Sequence, residues 1–188
     1  MSAVPVALAI RRPVAAPPVH GEACAEYSIR AARESDADAI HRLISEHLAE
    51  GRLLPRSRDE IRSRAHRFIV ASDDAGIVAC ADLAPLSRRV AEVRSLVVAD
   101  EARSRGLCRR LVHELERLAL AAGYVTLCAF THAPGYFVRM GFSVVPHTWL
   151  PEKIEADCRA CAQFRRCGQY AVMLPLVGAP MPARSTHA

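Results

Sequence analysis

One continuous run, from Val90 to Ala122, constrains the fold more than any other part of the chain. Val90–Val98 is rich in β-branched and apolar residues and reads as a strand. Ala99–Arg105 forms a short connection. Gly106–Ala122 then reads as a helix, with Leu107, Leu111, Leu115, Leu118 and Ala122 on one face and Gly123 at its end. A strand that passes through a short loop into a long helix gathers unbonded backbone N–H groups at the positive end of the helix dipole. That arrangement is a nest for phosphate oxygens. Gly106 lets the backbone approach a ligand closely, and Arg103, Arg105, Arg109 and Arg110 add positive charge around it. The same pattern also fits a tight strand-to-helix turn with solvated arginines.

The flanking segments supply a sheet. Strands are expected at Tyr27–Ala32, Phe68–Ala71, Ile77–Leu83, Val125–Phe130, Phe142–Val145 and Gln169–Leu174. Asp73-Asp74-Ala75-Gly76 is a hairpin turn signal. A helix is expected from Ser35, through a capping box of Ser35 and Asp38, to a cap at Gly51. Further helices are expected from Ser57 to about His66, over Pro134–Met140, and from Pro151 to about Phe164. Residues 1–26 hold four prolines and no periodicity, and read as a tail. Residues 177–188 read as a second loose end. Strand-rich halves joined by a central helix indicate an α/β domain with one mixed sheet over 27–176.

Composition narrows the class. At 188 residues a single domain is expected. No run approaches the roughly 18 to 20 apolar residues of a membrane span. The net charge of +5 suits an anionic small molecule and is too mild to imply nucleic acid. Of 25 Lys plus Arg, only Lys153 is lysine, so this position stands out from a general demand for charge. Seven cysteines, an odd number with no secretory signal before them, point to a reduced cytoplasm.

Arg103-x-x-Gly106-x-Cys108 after a strand resembles the Arg/Gln-x-x-Gly-x-Gly/Ala signature of the GNAT acetyltransferases, with Cys108 departing from the usual Gly or Ala. Tyr136-Phe137-Val138-Arg139-Met140-Gly141-Phe142 is similar to that family's aromatic-x-x-x-Gly-Phe segment. The resemblance covers about residues 27–176. It implies a single acyl-CoA N-acyltransferase domain: a central twisted mixed sheet flanked by helices, whose fourth and fifth strands splay to hold acetyl-CoA. The cofactor contacts it implies are Leu96, Val97, Val98, Arg103, Ser104, Arg105, Gly106, Leu107, Cys108, Arg109 and Phe137. The backbone of Leu96 to Val98 would bind the pantetheine arm and polarise the thioester carbonyl. Many relatives carry a tyrosine acid four residues before the Gly of Gly-Phe. Here that position is Phe137, and Tyr136 is expected to point about 100° away on a helix, leaving the thiolate to depart unaided or to take a proton from water.

Leu150-Pro151-Glu152-Lys153, Asp157-Cys158-x-x-Cys161, Phe164, Cys167 and Gln169 look like the acetyltransferase domain of N-acetylglutamate synthases, in their short form. This implies acetyl transfer to the α-amine of L-glutamate, the first step towards arginine, with small-molecule partners and no metal in catalysis. A monomer and a homodimer both remain open. Arg94, Lys153 and Thr131 are the expected substrate contacts, with Arg165 and Arg166 behind them. Glu92, eleven residues before Arg103, matches the spacing of the catalytic glutamate in relatives that acetylate histones. Glu92 and His132 are the candidate bases. Each has a plainer reading: Lys153 as a helix-start lysine paired with Glu152 or Glu155, Arg94 as an edge-strand charge, Glu92 as a carboxylate paired with Arg94 or Arg89, and His132 as a structural histidine. Cys158, Cys161 and Cys167 could give three thiolates to zinc, with His147, Cys128 or Cys80 as a fourth ligand, or could simply pack their helix. Transfer to another small amine, transfer to a protein amine, and acetyl-CoA binding without catalysis remain as alternatives.

Overall fold

The computed structural model describes residues 27–50, 53–161 and 164–176. The expected tails at 1–26 and 177–188, and the expected cap at Gly51, lie outside the described residues. Seven strands are formed: β1 (Ser28–Ala31), β2 (Phe68–Asp73), β3 (Gly76–Pro85), β4 (Val90–Val98), β5 (Thr126–Thr131), β6 (Ser143–Val145) and β7 (Tyr170–Pro175). They make one sheet in the order β1-β2-β3-β4-β5-β7-β6. Among the described residues, only the β4–β5 pairing is parallel. A parallel pair needs a crossover, and α3 (Leu107–Ala121) supplies it. The other helices are α1 (Ala37–Glu46), α2 (Arg58–Ser63), α4 (Pro134–Val138) and α5 (Pro151–Lys153).

The long helix follows its apolar face. Leu107, Leu111, Val112, Leu115 and Ala119 are buried against the sheet. Leu118 is only half-buried and Ala122 is exposed. The buried stripe therefore drifts round the helix, as a 3.6-residue repeat must when it is read at intervals of four. The Asp73 carboxylate accepts hydrogen bonds from the backbone of Ala75 and Gly76 and closes the β2–β3 hairpin.

Two expected helices are corrected. The first does not start on a Ser35 cap. A 3-10 turn at Glu34–Asp36 precedes α1. Asp36, not Ser35, holds the turn: it accepts from the Arg33 backbone N–H at 2.7 Å and from both terminal nitrogens of Arg30. The helix expected from Pro151 to about Phe164 is short. After α5 the chain makes one π turn, Ile154–Cys158, closed by the Arg159 N–H on the Ile154 carbonyl. A separate short turn covers Phe164–Arg166. Arg94 is also not on an edge, because β4 is the central strand.

What positions the cleft is the register of β4. It pairs with β5 from Val90↔Thr126 to Val93↔Ala129 and no further. On its other side the register against β3 slips between Cys80 and Asp82, where β4 carries an extra residue. Ser95, at φ 48°, lies within this bulge. Beyond it β4 stays with β3 but leaves β5. Among the described residues, no helix is long and apolar enough to cross a membrane.

Hydrogen bonds from Arg30 hold the Asp36 carboxyl below the usual carboxylate range, against a smaller opposing effect of burial. A depressed folded pKa stabilises above the unfolded pKa of about 3.9 and is lost as the pH falls through the folded value. Urea unfolding should therefore show Asp36→Asn less stable than the parent by about 1 to 2 kcal/mol at pH 7, with the difference vanishing towards pH 2.

Candidate active site

The parting of β4 from β5 opens a cleft of about 460 Å³. One wall is the β4 segment from Glu92 to Val98, and the other is Ala129–Ala133. Tyr136, Phe137 and Cys108 line it, as do Lys153, Gln169, His47, Leu53, Leu54 and Arg56. Past Val93 the β5-facing edge of β4 has no ladder partner in β5, so its backbone polar groups are free to meet a ligand in the cleft.

At the loop end, α3 starts at Gly106, at φ 75°, with no side chain capping its first N–H groups. Ser104 is also left-handed, at φ 63°. Successive N–H groups in such a turn, followed by an uncapped helix of fifteen residues, form an anion-binding concavity. Ser104, Arg105, Gly106 and Arg109 are exposed here, whereas Leu107 points into the core. The arginines are partly engaged. Arg103 donates to the Val98 carbonyl at 3.4 Å and pairs with Asp100 at 3.0 Å. Arg105 lies over the Tyr27 ring, Arg109 donates to His113, and Arg110 donates to the Tyr27 carbonyl.

The middle of the cleft holds two neighbouring aromatic rings, Tyr136 and Phe137, with centroids 6.1 Å apart and planes at 87°. Phe137 is buried and stacks edge-on against Phe142, yet it and Tyr136 both line the cleft. α4 has only five residues, Pro134–Val138, and follows a non-helical Ala133. The Tyr136 phenol and the Cys108 thiol line the cleft together and act on each other electrostatically. Burial, reinforced by Cys108, pushes the phenol up to about 12. On the β5 side, Thr131 Oγ1 accepts from the Ala133 N–H at 3.0 Å. The His132 ring lies near Gly168, where an added Cβ would meet it at an ordinary van der Waals distance of 3.7 Å.

The far end is a network of four charges. Lys153 Nζ donates to both oxygens of Glu92, at 2.8 and 2.9 Å, and to Asp157 Oδ2 at 2.9 Å. Arg94 Nε donates to Glu92 at 2.6 Å, and Arg94 Nη2 donates to the same Asp157 oxygen. Side-chain exposure is 4% for Glu92, 11% for Lys153, 14% for Arg94 and 39% for Asp157. The structure thus brings Glu92, Arg94 and Lys153 together. The partners of Lys153 are Glu92 and Asp157, not Glu152 or Glu155. Burial acts to lower the Arg94 guanidinium, but Glu92 and Asp157 raise it overall. Burial acts to raise Asp157, but Lys153 and Arg94 lower it overall. Lys153 also lies 5.1 Å from the centre of the Phe130 ring. Arg56 carries no sequence signal, and Asp157 enters the sequence only within the Asp157-Cys158-x-x-Cys161 run, without a site role; its i, i+4 spacing from Lys153 is the signal that links it to the site.

Cys161 and Cys167 act electrostatically on Cys158. Cys158 is half-buried, and Cys161 and Cys167 are exposed. Among the described residues, no three His, Cys, Asp or Glu side chains are placed to hold a metal ion. Cys80 and Cys128 belong to the core, where burial pushes their thiols up, Cys80 to about 12. His147 Nε2 is bonded to the Gln169 carbonyl at 2.9 Å.

Comparison with known proteins gives the same outline. The Acetyltransferase (GNAT) family model matches residues 26–142. An uncharacterized N-acetyltransferase of Chlorobaculum tepidum is 32% identical over 152 residues, covering 81% of this chain and 98% of that one. An amino-acid acetyltransferase of Neisseria meningitidis is 29% identical over 135 residues, 71% of this chain but 31% of its own length. A solved N-acetylglutamate synthase from Neisseria gonorrhoeae, complexed with coenzyme A and N-acetyl-glutamate, superposes with a TM-score of 0.73. It is 26% identical over 81% of this chain and 35% of that one. This chain thus spans about a third of those two longer enzymes.

The charge network should be visible in stability. Glu92→Gln leaves two buried cations short of a counter-charge and should cost about 3 kcal/mol in urea unfolding at pH 7. A loss below about 0.5 kcal/mol would mean that Glu92 is not holding these cations.

Proposed function

Because the chain belongs to the acetyltransferase (GNAT) family, we propose that it transfers the acetyl group of acetyl-CoA to the α-amine of L-glutamate. The observation that carries the acceptor is the meeting of Arg94 and Lys153 in the cleft, towards the Val90 end of β4 and away from the phosphate-binding loop. An acidic amino acid needs cations at this place. A guanidinium offers a fork and an ammonium a point charge.

The residues fit acetyl-CoA. The uncapped start of α3, with Ser104 and Gly106 both left-handed, suits the pyrophosphate. The unpaired edge of Leu96–Val98 suits the pantetheine arm, and its N–H groups would stabilise negative charge on the thioester oxygen as the amine attacks. Bound acetyl-CoA supplies the activated acyl group. Amine, thioester and donors are held together, so transfer is direct in a ternary complex.

Proton movements follow from what each side chain has free. Glu92 accepts from both Lys153 and Arg94. It serves as a positioning residue that orients the two cations, and the base is His132, whose ring lines the cleft beside Thr131. Tyr136, raised to about 12, stays protonated at neutral pH and can give its proton to the departing thiolate. It fills the role that Phe137 cannot.

Product detection by mass spectrometry tests the reading, with acetyl-CoA and a panel of glutamate, glutamine, aspartate, other amino acids, polyamines and a peptide. N-acetylglutamate should dominate; preferred turnover of another amine overturns the acceptor. Tyr136→Phe should lower kcat at least tenfold. Lys153→Ala should raise the KM for glutamate at least tenfold, with the affinity for coenzyme A unchanged.

A further inference from the structure

We propose that Asp157 is an internal stand-in for the acceptor's carboxylate: it occupies the cation pair of the free enzyme and must be displaced by the substrate, and this sets selectivity for dicarboxylates. The inference rests on the acceptor site proposed above.

Three observations carry it. Asp157 Oδ2 takes hydrogen bonds from both Lys153 and Arg94, the two groups available to a substrate carboxylate. Asp157 is able to leave, because its side chain is 39% exposed whereas Glu92, at 4%, is locked in. It also sits in the π turn Ile154–Cys158. Such a turn carries one residue more than an α turn and often marks a functional site. A change of one residue in winding swings a side chain by about 100°, enough to take Asp157 off the cations while Lys153, on α5, stays in place.

The surrounding charge explains the selectivity. Arg56 lines the cleft and acts electrostatically on Asp157. It shares Glu60 with Arg64, while Arg67 and Asp82 close by form a pair of their own. At this end the cleft lining carries Arg56, Arg94, Lys153 and Glu92, so with Asp157 beside it three positive charges face two negative ones, an excess of one; Glu152, which acts on the buried Cys128 thiol, lies outside the lining. When Asp157 withdraws the excess becomes two, which matches a dicarboxylate. A monocarboxylate would replace one negative charge by another and gain little. The tethered Asp157 therefore acts as a competitor that only a doubly charged ligand outbids.

The test uses glutarate, which has both carboxylates and no amine, and butyrate, which has one carboxylate. Calorimetry with coenzyme A present compares the wild type with Asp157→Asn. Glutarate should bind the variant about tenfold more tightly, and butyrate should bind the variant while failing to bind the wild type. In the wild type, glutarate should raise hydrogen exchange at residues 153–161. This second readout does not depend on the variant folding. Glutarate binding to the wild type as tightly as to the variant, or with exchange unchanged, overturns the inference and leaves the acceptor assignment standing. If glutarate binds neither protein and glutamate is not acetylated, the acceptor assignment falls, and the inference with it.

Discussion

The structure depends on the point where two parallel strands stop pairing. β4 and β5 hold together from Val90↔Thr126 to Val93↔Ala129. One extra residue in β4, with Ser95 in a left-handed conformation, then breaks the register on the β3 side. The bulge adds local twist and bends the strand. β4 cannot keep both neighbours, and it keeps β3. The cleft is the resulting gap. The free backbone edge along Leu96–Val98 has the same origin, because groups that β5 would have satisfied are left for a ligand. The α3 N-terminus is placed by this too, since the loop that reaches it leaves from the end of the diverging strand. Loop, edge and cleft are consequences of one mismatch in strand length.

A gap in the middle of a sheet needs something to hold its far end. The Glu92, Arg94, Lys153 and Asp157 network lies where β4 begins to leave β5, and ties β4 to the segment after β6 across more than sixty positions of sequence. Opposite charges in partial burial are strong only when each has its partners. Here both Glu92 oxygens are used, and no buried side-chain polar atom among the described residues is left without a partner. The same groups that brace the sheet also set the charge at this end of the cleft. A change to any one of them therefore alters the bracing and the charge of the cleft together.

Much of this could be read from the sequence, and the parts that could not share a cause. Val90–Val98 and the helix after Gly106 were legible because their limits are local: an apolar run, and a glycine at each end of an amphipathic stripe. The uncapped concavity at the start of α3 follows from the same local signals. Ser35 failed as a cap because Arg30, on the neighbouring strand, makes Asp36 the better acceptor. The helix after Pro151 failed because Lys153 and Asp157 answer to β4, and a π turn serves that contact where propensity favours a longer α-helix. The place of Tyr136 in the cleft lining is not legible in the sequence, because a helix of five residues is too short for a projection to place its side chains. For Lys153 and Asp157 the deciding partner is remote in sequence; for Ser35 it is Arg30, only six positions before Asp36 but on a strand whose course the local signals do not give.

The lone lysine can now be given a physical reason. Twenty-four arginines serve the rest of the chain, and a guanidinium at position 153 would keep the charge. It would not keep the geometry. An ammonium has three donors on one atom, and Lys153 Nζ has three acceptors around it: Glu92 Oε1, Glu92 Oε2 and Asp157 Oδ2, all within 2.9 Å. A planar fork spreads its donors over several atoms and cannot converge them on one point. Two of the three acceptors belong to a buried residue and one to a half-exposed one. Releasing Asp157 would therefore free one donor of Lys153 while Glu92 still anchors the other two. A compact cation, fixed by a buried partner and shared with a movable one, suits a site that must be braced when empty and able to exchange one carboxylate for another.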